Sequence, residues 1–273
     1  MWPVARVFCL AIPLTLAGTE PALERIQSIQ LGLEANPAGL ELLWSRSLRK
    51  TLAWRSPGES WASLEGGMVM ALTPALGRVG LFGEWQPLPV LILRAEADQL
   101  RYTGQHGGVL SFERSSLPFG QPVLDARRGD EESASARRVQ AQATLQYRAG
   151  PLVFRAPLNL VWTRNAGRGP WFYDPQYDTL LRDGDRLQDT SLQVGWAGGT
   201  GLGELVVGPS YEVTRTREAG LERRRAGLFG LLRRASPAGW LVEPYLAFQV
   251  GRDLRDPNRR GQINTQLALG GRF

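Results

Sequence analysis

Residues 262–273 read QINTQLALGGRF. In an extended chain, successive side chains point to opposite faces. Ile263, Thr265, Leu267, Leu269 and Phe273 therefore share one face, and Gln262, Asn264, Gln266 and Arg272 share the other. Loose chain ends are usually polar and irregular. This stretch has instead the pattern of a finished strand lying between two different environments.

The pattern recurs. VQAQATLQYR (139–148) sets Val139, Ala141, Ala143, Leu145 and Tyr147 against Gln140, Gln142, Thr144, Gln146 and Arg148. ELVVGPSYEVT (204–214) and WLVEPYLAFQVG (240–251) alternate in the same way. Helical spacing at i, i+3, i+4 is hard to find beyond the amino-terminal segment. Turn-forming clusters separate the runs: Asn36-Pro37-Ala38-Gly39, Thr73-Pro74-Ala75-Leu76-Gly77, Pro87-Leu88-Pro89, Gly150-Pro151, Gly198–Gly201 and Ser236-Pro237-Ala238-Gly239. About twelve strands are predicted, near 27–35, 40–54, 61–72, 78–86, 90–103, 137–149, 152–165, 187–197, 203–216, 222–235, 240–254 and 261–273. Two irregular connections, 104–136 and 166–186, interrupt them.

Composition narrows the class. The chain has 273 residues, 43% hydrophobic and 21% charged, with mean hydropathy −0.21 and a formal charge of +6. A positive excess alone is weak support for nucleic-acid binding. Here the basic residues are almost all arginine, with Lys50 the single lysine, and they are interspersed with acids along the chain. No nucleic-acid partner is expected. The start, MWPVARVFCLAIPLTLAGTEPA, combines Arg6, an apolar stretch from Val7 to Ala17 and then small residues. That is the layout of a secretory signal peptide and is too short to span a bilayer. Residues 1–18 are read as this signal and 19–273 as one barrel domain. The only cysteine, Cys9, lies within the signal, so the remainder can form no disulfide and no thiolate site.

An alternating sheet fits either a water-soluble barrel with an apolar interior or a membrane barrel with an apolar exterior. A membrane barrel must be closed, because an open sheet edge would leave backbone groups unpaired in hydrocarbon. The signal-like start, the lack of cysteine after it, the number of long strands and terminal Phe273 favour an all-β, closed antiparallel transmembrane barrel of about 12 strands. On these features the chain resembles the Gram-negative outer-membrane β-barrel superfamily, and residues from about 25 to 273 carry the likeness as an architecture. In that superfamily a final strand ending in an aromatic residue is read by the assembly machinery. Leu267, Leu269 and Phe273 match that signal, whereas Gly271 departs from it. The resemblance implies cleavage of the signal peptide, residence in the outer membrane, contact with outer-membrane lipid and lipopolysaccharide, and both chain ends in the periplasm. The long connections would then lie outside and the tight turns inside.

Several residues invite chemistry. His106, the sole histidine, stands near Ser111 and Glu113. A serine nucleophile needs a base within hydrogen-bond reach, and an outer-membrane lipid hydrolase using His106 and Ser111 is the alternative function. The lipase-like spacing of two along one strand is absent. WFYDPQYDTLLRDGDRLQD (171–189) gathers aspartates and aromatics, but not in the ligand order of a calcium loop. It reads as a turn flanked by an interfacial aromatic girdle. The glycine run 198–203 lacks a phosphate-loop Lys-Ser/Thr and reads as a hairpin turn. No catalytic residue, metal or cofactor is expected.

The constellation of most interest is charged and predicted to line the lumen at mid-strand: Glu65, Glu84, Arg94, Glu96, Arg155, Glu204 and Glu243. Opposite charges there would neutralise each other or form a selective constriction. The expected function is non-enzymatic: a narrow channel, or an envelope-assembly component presenting external loops to an unidentified envelope partner. A purely structural or adhesive barrel is a further alternative.

Overall fold

The structure, a computed structural model, describes residues 23–35, 39–52, 62–104, 109–165, 169–234, 238, 240–256 and 258–273. The segment read as a signal peptide lies outside these residues. Twelve strands close into one antiparallel barrel. They are β1 (Leu23–Ala35), β2 (Gly39–Leu52), β3 (Ala62–Leu72), β4 (Leu76–Leu88), β5 (Leu91–Thr103), β7 (Ser133–Ala149), β8 (Leu152–Asn165), β11 (Arg186–Thr200), β12 (Gly203–Thr216), β13 (Glu222–Arg233), β14 (Val242–Arg255) and β15 (Ile263–Arg272). Three short strands, β6 (Ser111–Phe112), β9 (Trp171–Asp174) and β10 (Thr179–Arg182), form a separate sheet, and α1 (Gln121–Ala126) is a short helix. The barrel strands run from 10 to 17 residues, which suffices to span a bilayer at a tilt.

Each barrel strand pairs with its neighbour in the circuit, and the seam is β1 against β15, from Ser28↔Arg272 to Ala35↔Thr265. The backbone N–H of Phe273 extends the seam to the carbonyl of Gln27 at 3.1 Å. Prolines locally interrupt the ladders because they lack the N–H the ladder needs. Pairing of β8 with β11 lapses between Leu158↔Thr190 and Arg155↔Gln193, around Pro157. The Thr190 hydroxyl donates to the Pro157 carbonyl at 3.0 Å there. Pro209 opens the same kind of gap between β11 and β12. At Pro244 the β14–β15 register shifts, and Glu243 adopts φ +53°.

The outer wall is apolar. Leu64, Leu81, Val139, Leu145, Leu228, Leu246, Leu267 and Leu269 all expose their side chains outward. Between them, Gln30, Arg138, Gln146, Arg155, Asn159, Gln249, Asn264 and Gln266 are buried inside. This is the inverse of a soluble core and is the arrangement of a membrane-spanning barrel. Trp85, Tyr147, Phe154, Trp196, Trp240 and Phe273 form an exposed aromatic girdle at one end. At that end the chain crosses between strands by tight turns such as Ala149–Leu152 and Thr200–Gly203. Phe273 packs edge-on against Trp240 with ring centroids 5.5 Å apart.

The stretch 171–189 does not contribute to that girdle. Phe172, Tyr173 and Tyr177 are at most 3% exposed and face the interior. The sequence reading assigned these aromatics to the interface because their density matches a girdle. They are buried because β9 and β10 fold back onto the inward face of the wall, where Leu76, Leu100, Tyr102, Val161 and Leu187 provide an apolar seat.

Candidate functional site

The lumen has two halves of different character. At the end carrying the long connections, the β6–β9–β10 sheet and α1 make a plug. One side of this plug packs on the wall cluster just described, through Val109, Phe172, Tyr177 and Leu181. Its other side closes on itself through Leu110, Phe112, Phe119, Leu124, Tyr173 and Leu180. Fully burying an aliphatic or aromatic side chain contributes about 1.5–3 kcal/mol, so the plug has a core of its own.

Charge fixes the plug to the wall. Asp174 ends β9 and pairs with Arg138 of β7 at 2.5 Å, both side chains being fully buried. The other Asp174 oxygen accepts the backbone N–H groups of Gln176 (2.8 Å) and Tyr177 (3.3 Å). The Arg138 guanidinium lies 5.1 Å from the centre of the Tyr177 ring, adding a cation–π contact. Asp178, in the left-handed region at φ +49°, is a second anchor. It accepts the Tyr173 hydroxyl at 2.6 Å. It also pairs with Arg259 of the β14–β15 connection at 2.8 Å and with Arg223 of β13 at 3.4 Å. Burial pushes the Tyr173 hydroxyl well above its ordinary pKa, so it remains a donor to Asp178. Burial also pushes the Asp256 carboxyl up, against the pull of the Asn258 and Arg259 backbone N–H groups that it accepts. Among the described residues no group of three or more potential metal-ligating side chains is assembled. Asp174, Asp178 and Asp185 are instead committed to arginines, a tyrosine and backbone amides, and Asp189 accepts the Thr214 hydroxyl at 2.8 Å.

Below the plug, side chains of neighbouring strands form charged rows. Glu212, Arg225 and Asp253 are successive register partners on β12, β13 and β14. Arg225 meets Asp253 at 3.0 Å and Glu212 at 3.7 Å. A second row crosses β2 to β5 as Arg49, Glu65, Glu84 and Arg94, again register partners in turn. Arg49 meets Glu65 at 2.6 Å and Arg94 meets Glu84 at 3.6 Å. Like charges directly opposite are unfavourable, so the central Glu65–Glu84 pair depends on its flanking arginines.

The second row borders a cavity of about 280 Å³ in the half of the lumen near the girdle, with Arg233, Tyr245 and Arg272 on its far wall. Of the residues singled out by sequence, Glu65, Glu84, Arg94 and Glu243 line this cavity. Glu96 lies deeper and bridges Arg94 (2.8 Å) and Arg78 (3.2 Å). Glu204 pairs with Arg148 (2.7 Å) and Arg233 (3.7 Å). Arg155 is buried on β8, outside this group. Glu204 and Glu243 are not mid-strand: each is the second residue of its strand, and Glu243 sits on the bulge at Pro244. Leu267 and Leu269 face outward on β15, and Phe273 lies at the girdle end.

Ser111 belongs to β6 of the plug, not to the barrel wall, and its hydroxyl accepts the Gly169 N–H at 3.2 Å. His106 lies outside the described residues. Sequence reasoning missed Arg138, Asp174, Asp178, Arg223, Arg225 and Arg259. Strand parity held a signal for Arg138, which shares the face of Gln140 and Gln142, and for Arg223 and Arg225, which share the face of Phe229 and Arg233. No local pattern marks Arg259.

No protein-family model matches this chain, and no curated protein matches it. Solved structures similar to it are outer-membrane barrels. The β-domain of the Bordetella autotransporter BrkA is 10% identical with a TM-score of 0.46, the match covering 93% of this chain and 100% of that one. KdgM porin, in complex with disordered oligogalacturonate, is 7% identical with a TM-score of 0.42, covering 92% and 99%. A loop-deletion mutant of OmpT, an outer membrane protein of Vibrio cholerae, is 7% identical with a TM-score of 0.41, covering 92% and 99%. At these identities and scores the likeness carries nothing about activity.

Proposed function

We propose that this chain is a non-enzymatic outer-membrane barrel acting as a narrow channel, closed at its loop-bearing mouth by its own plug. The observation that supports this most is the pairing of plug carboxylates with arginines of the barrel, Asp174 with Arg138 and Asp178 with Arg223 on the wall and with Arg259 in the β14–β15 connection. A purely structural barrel needs no charged latch, and buried ion pairs are a costly way to gain stability alone. A charged cavity lies behind the latch and suits passage of small hydrophilic solutes. In this reading lipid and lipopolysaccharide surround the barrel, and the assembly machinery recognises β15 through Leu267, Leu269 and Phe273.

Single-channel recording in planar bilayers tests the channel. The native protein should give rare, small openings. Asp178→Ala removes a partner of Tyr173, Arg223 and Arg259 together, and should lengthen the open time at least about tenfold, the effect of about 1.4 kcal/mol. A wide, steady native conductance would refute the closed mouth. Silence in both proteins would refute the channel and leave a structural barrel.

A further inference from the structure

The lipid-facing side of the loop-bearing rim is charged on one flank only. Arg101 of β5, Arg137 of β7, Arg164 of β8, Arg186 of β11, Arg215 of β12, Arg224 of β13 and Arg252 of β14 each lie within five residues of that end of their strand. Each shares the outward face with exposed apolar neighbours, as Arg137 does with Val139 and Arg164 with Trp162. The seven strands are consecutive around the barrel. Strands are spaced roughly 4.8 Å apart, so the arc runs about 29 Å along the wall. On the remaining flank, outward positions at the same rim are apolar: Leu33, Leu42, Leu72, Val79 and Ile263.

These arginines are poorly neutralised. Glu222 is the one outward carboxylate on the seven strands among the described residues. It already serves Arg215 (2.8 Å), Arg224 (2.6 Å) and Arg255 (3.1 Å). Among the described residues, the guanidinium groups of Arg101, Arg137, Arg164 and Arg186 form no ion pair with a carboxylate, and Asp185 meets only the backbone N–H of Arg186. Arg137 and Arg164 are direct cross-strand partners, and two like charges so placed are destabilising unless an anion bridges them. One step toward the middle of the wall, their place is taken by the pair Val139 and Trp162.

We infer that this arc docks the phosphate groups of a lipid in the adjoining leaflet. Guanidinium groups bind phosphate through paired, charge-assisted hydrogen bonds. The apolar wall beginning one residue pair below requires a ligand that carries acyl chains as well as phosphate, which a free anion does not. The inference rests on the membrane-spanning reading and is independent of whether the lumen conducts.

The test uses the full barrel, folded in a neutral detergent and confirmed by heat-modifiable gel migration, which checks the membrane-barrel premise separately. Native mass spectrometry would compare diphosphorylated lipid A with the same lipid after dephosphorylation. The diphosphorylated form should bind about tenfold or more tightly, and the double variant Arg137→Gln/Arg164→Gln should remove about that tenfold, equivalent to about 1.4 kcal/mol. The pair Arg101→Gln/Arg186→Gln serves if the first variant does not fold. Arg25→Gln, at the opposite rim, should change nothing. Equal binding of the two lipids would overturn the inference. So would insensitivity to both arginine pairs, or displacement of the lipid by an equal concentration of inorganic phosphate.

Discussion

The hydroxyl of Tyr245 on β14 donates to Oε1 of Gln30 on β1 at 2.7 Å, passing over Gly270 of the intervening strand β15. One side chain thus ties together the three strands that close the barrel. The glycine makes this possible, since a Cβ there would stand 2.5 Å from the Tyr245 oxygen and 2.7 Å from the Ile29 carbonyl. The closing strand is therefore held by backbone pairing and by a tyrosine laid across its glycine.

Gly270→Ala should be more harmful than Tyr245→Phe. The alanine meets backbone that cannot move aside, and overpacking of this kind costs about 1–3 kcal/mol. The phenylalanine loses one hydrogen bond, worth about 1 kcal/mol net. Urea unfolding in lipid vesicles would order the two variants. The reverse order would mean that the hydroxyl, not the close approach, holds the seam.

Asp174→Asn leaves the buried Arg138 without its counter-charge. Breaking a buried pair from one side costs about 3–5 kcal/mol, whereas replacing both members by apolar groups is often nearly neutral. The double variant Arg138→Met/Asp174→Leu should therefore recover most of the stability lost by the single one. Unfolding midpoints of the three proteins would decide it, and a double variant as weak as the single would show that the pair has a role beyond charge balance.

Much of the barrel was legible because alternation is a local property. A strand between lipid and lumen must switch polarity at every residue, so twelve runs could be placed to within a few residues from periodicity and turns alone. The plug was not legible, because its meaning is long-range. The aspartates and aromatics of 171–189 read locally as a turn and a girdle. Only the closed circuit of strands shows that Arg138 and Arg223 wait on the inner wall for Asp174 and Asp178. Glu204 and Glu243 were read at mid-strand because alternation gives a residue's face and not its height, and each is the second residue of its strand.

Leu81 is 69% exposed at the middle of β4. In water, replacing an exposed residue usually changes stability by less than about 0.5 kcal/mol. Against hydrocarbon, arginine near the midplane costs about 2–4 kcal/mol. Leu81→Arg should therefore lower folding stability in vesicles by that larger amount. A neutral result would show that this face does not meet lipid.

The charged row beside the cavity should set ion preference once the mouth is opened. In an Asp178→Ala background, Glu84→Gln removes a negative charge and should move the reversal potential under a salt gradient toward anion preference. Arg94→Gln removes a positive charge that stacks on the Phe82 ring at 3.9 Å and pairs with Glu96, and should move it toward cations. Arg94 also balances Glu84 across the β4–β5 register, so the double variant should return close to the parent value, since the two neutralisations cancel. Rows of fixed charge act on permeating ions over about a Debye length, roughly 10 Å at 0.1 M salt, so both shifts should shrink as salt is raised toward 1 M. Identical reversal potentials in all the proteins would place the ion path away from this row.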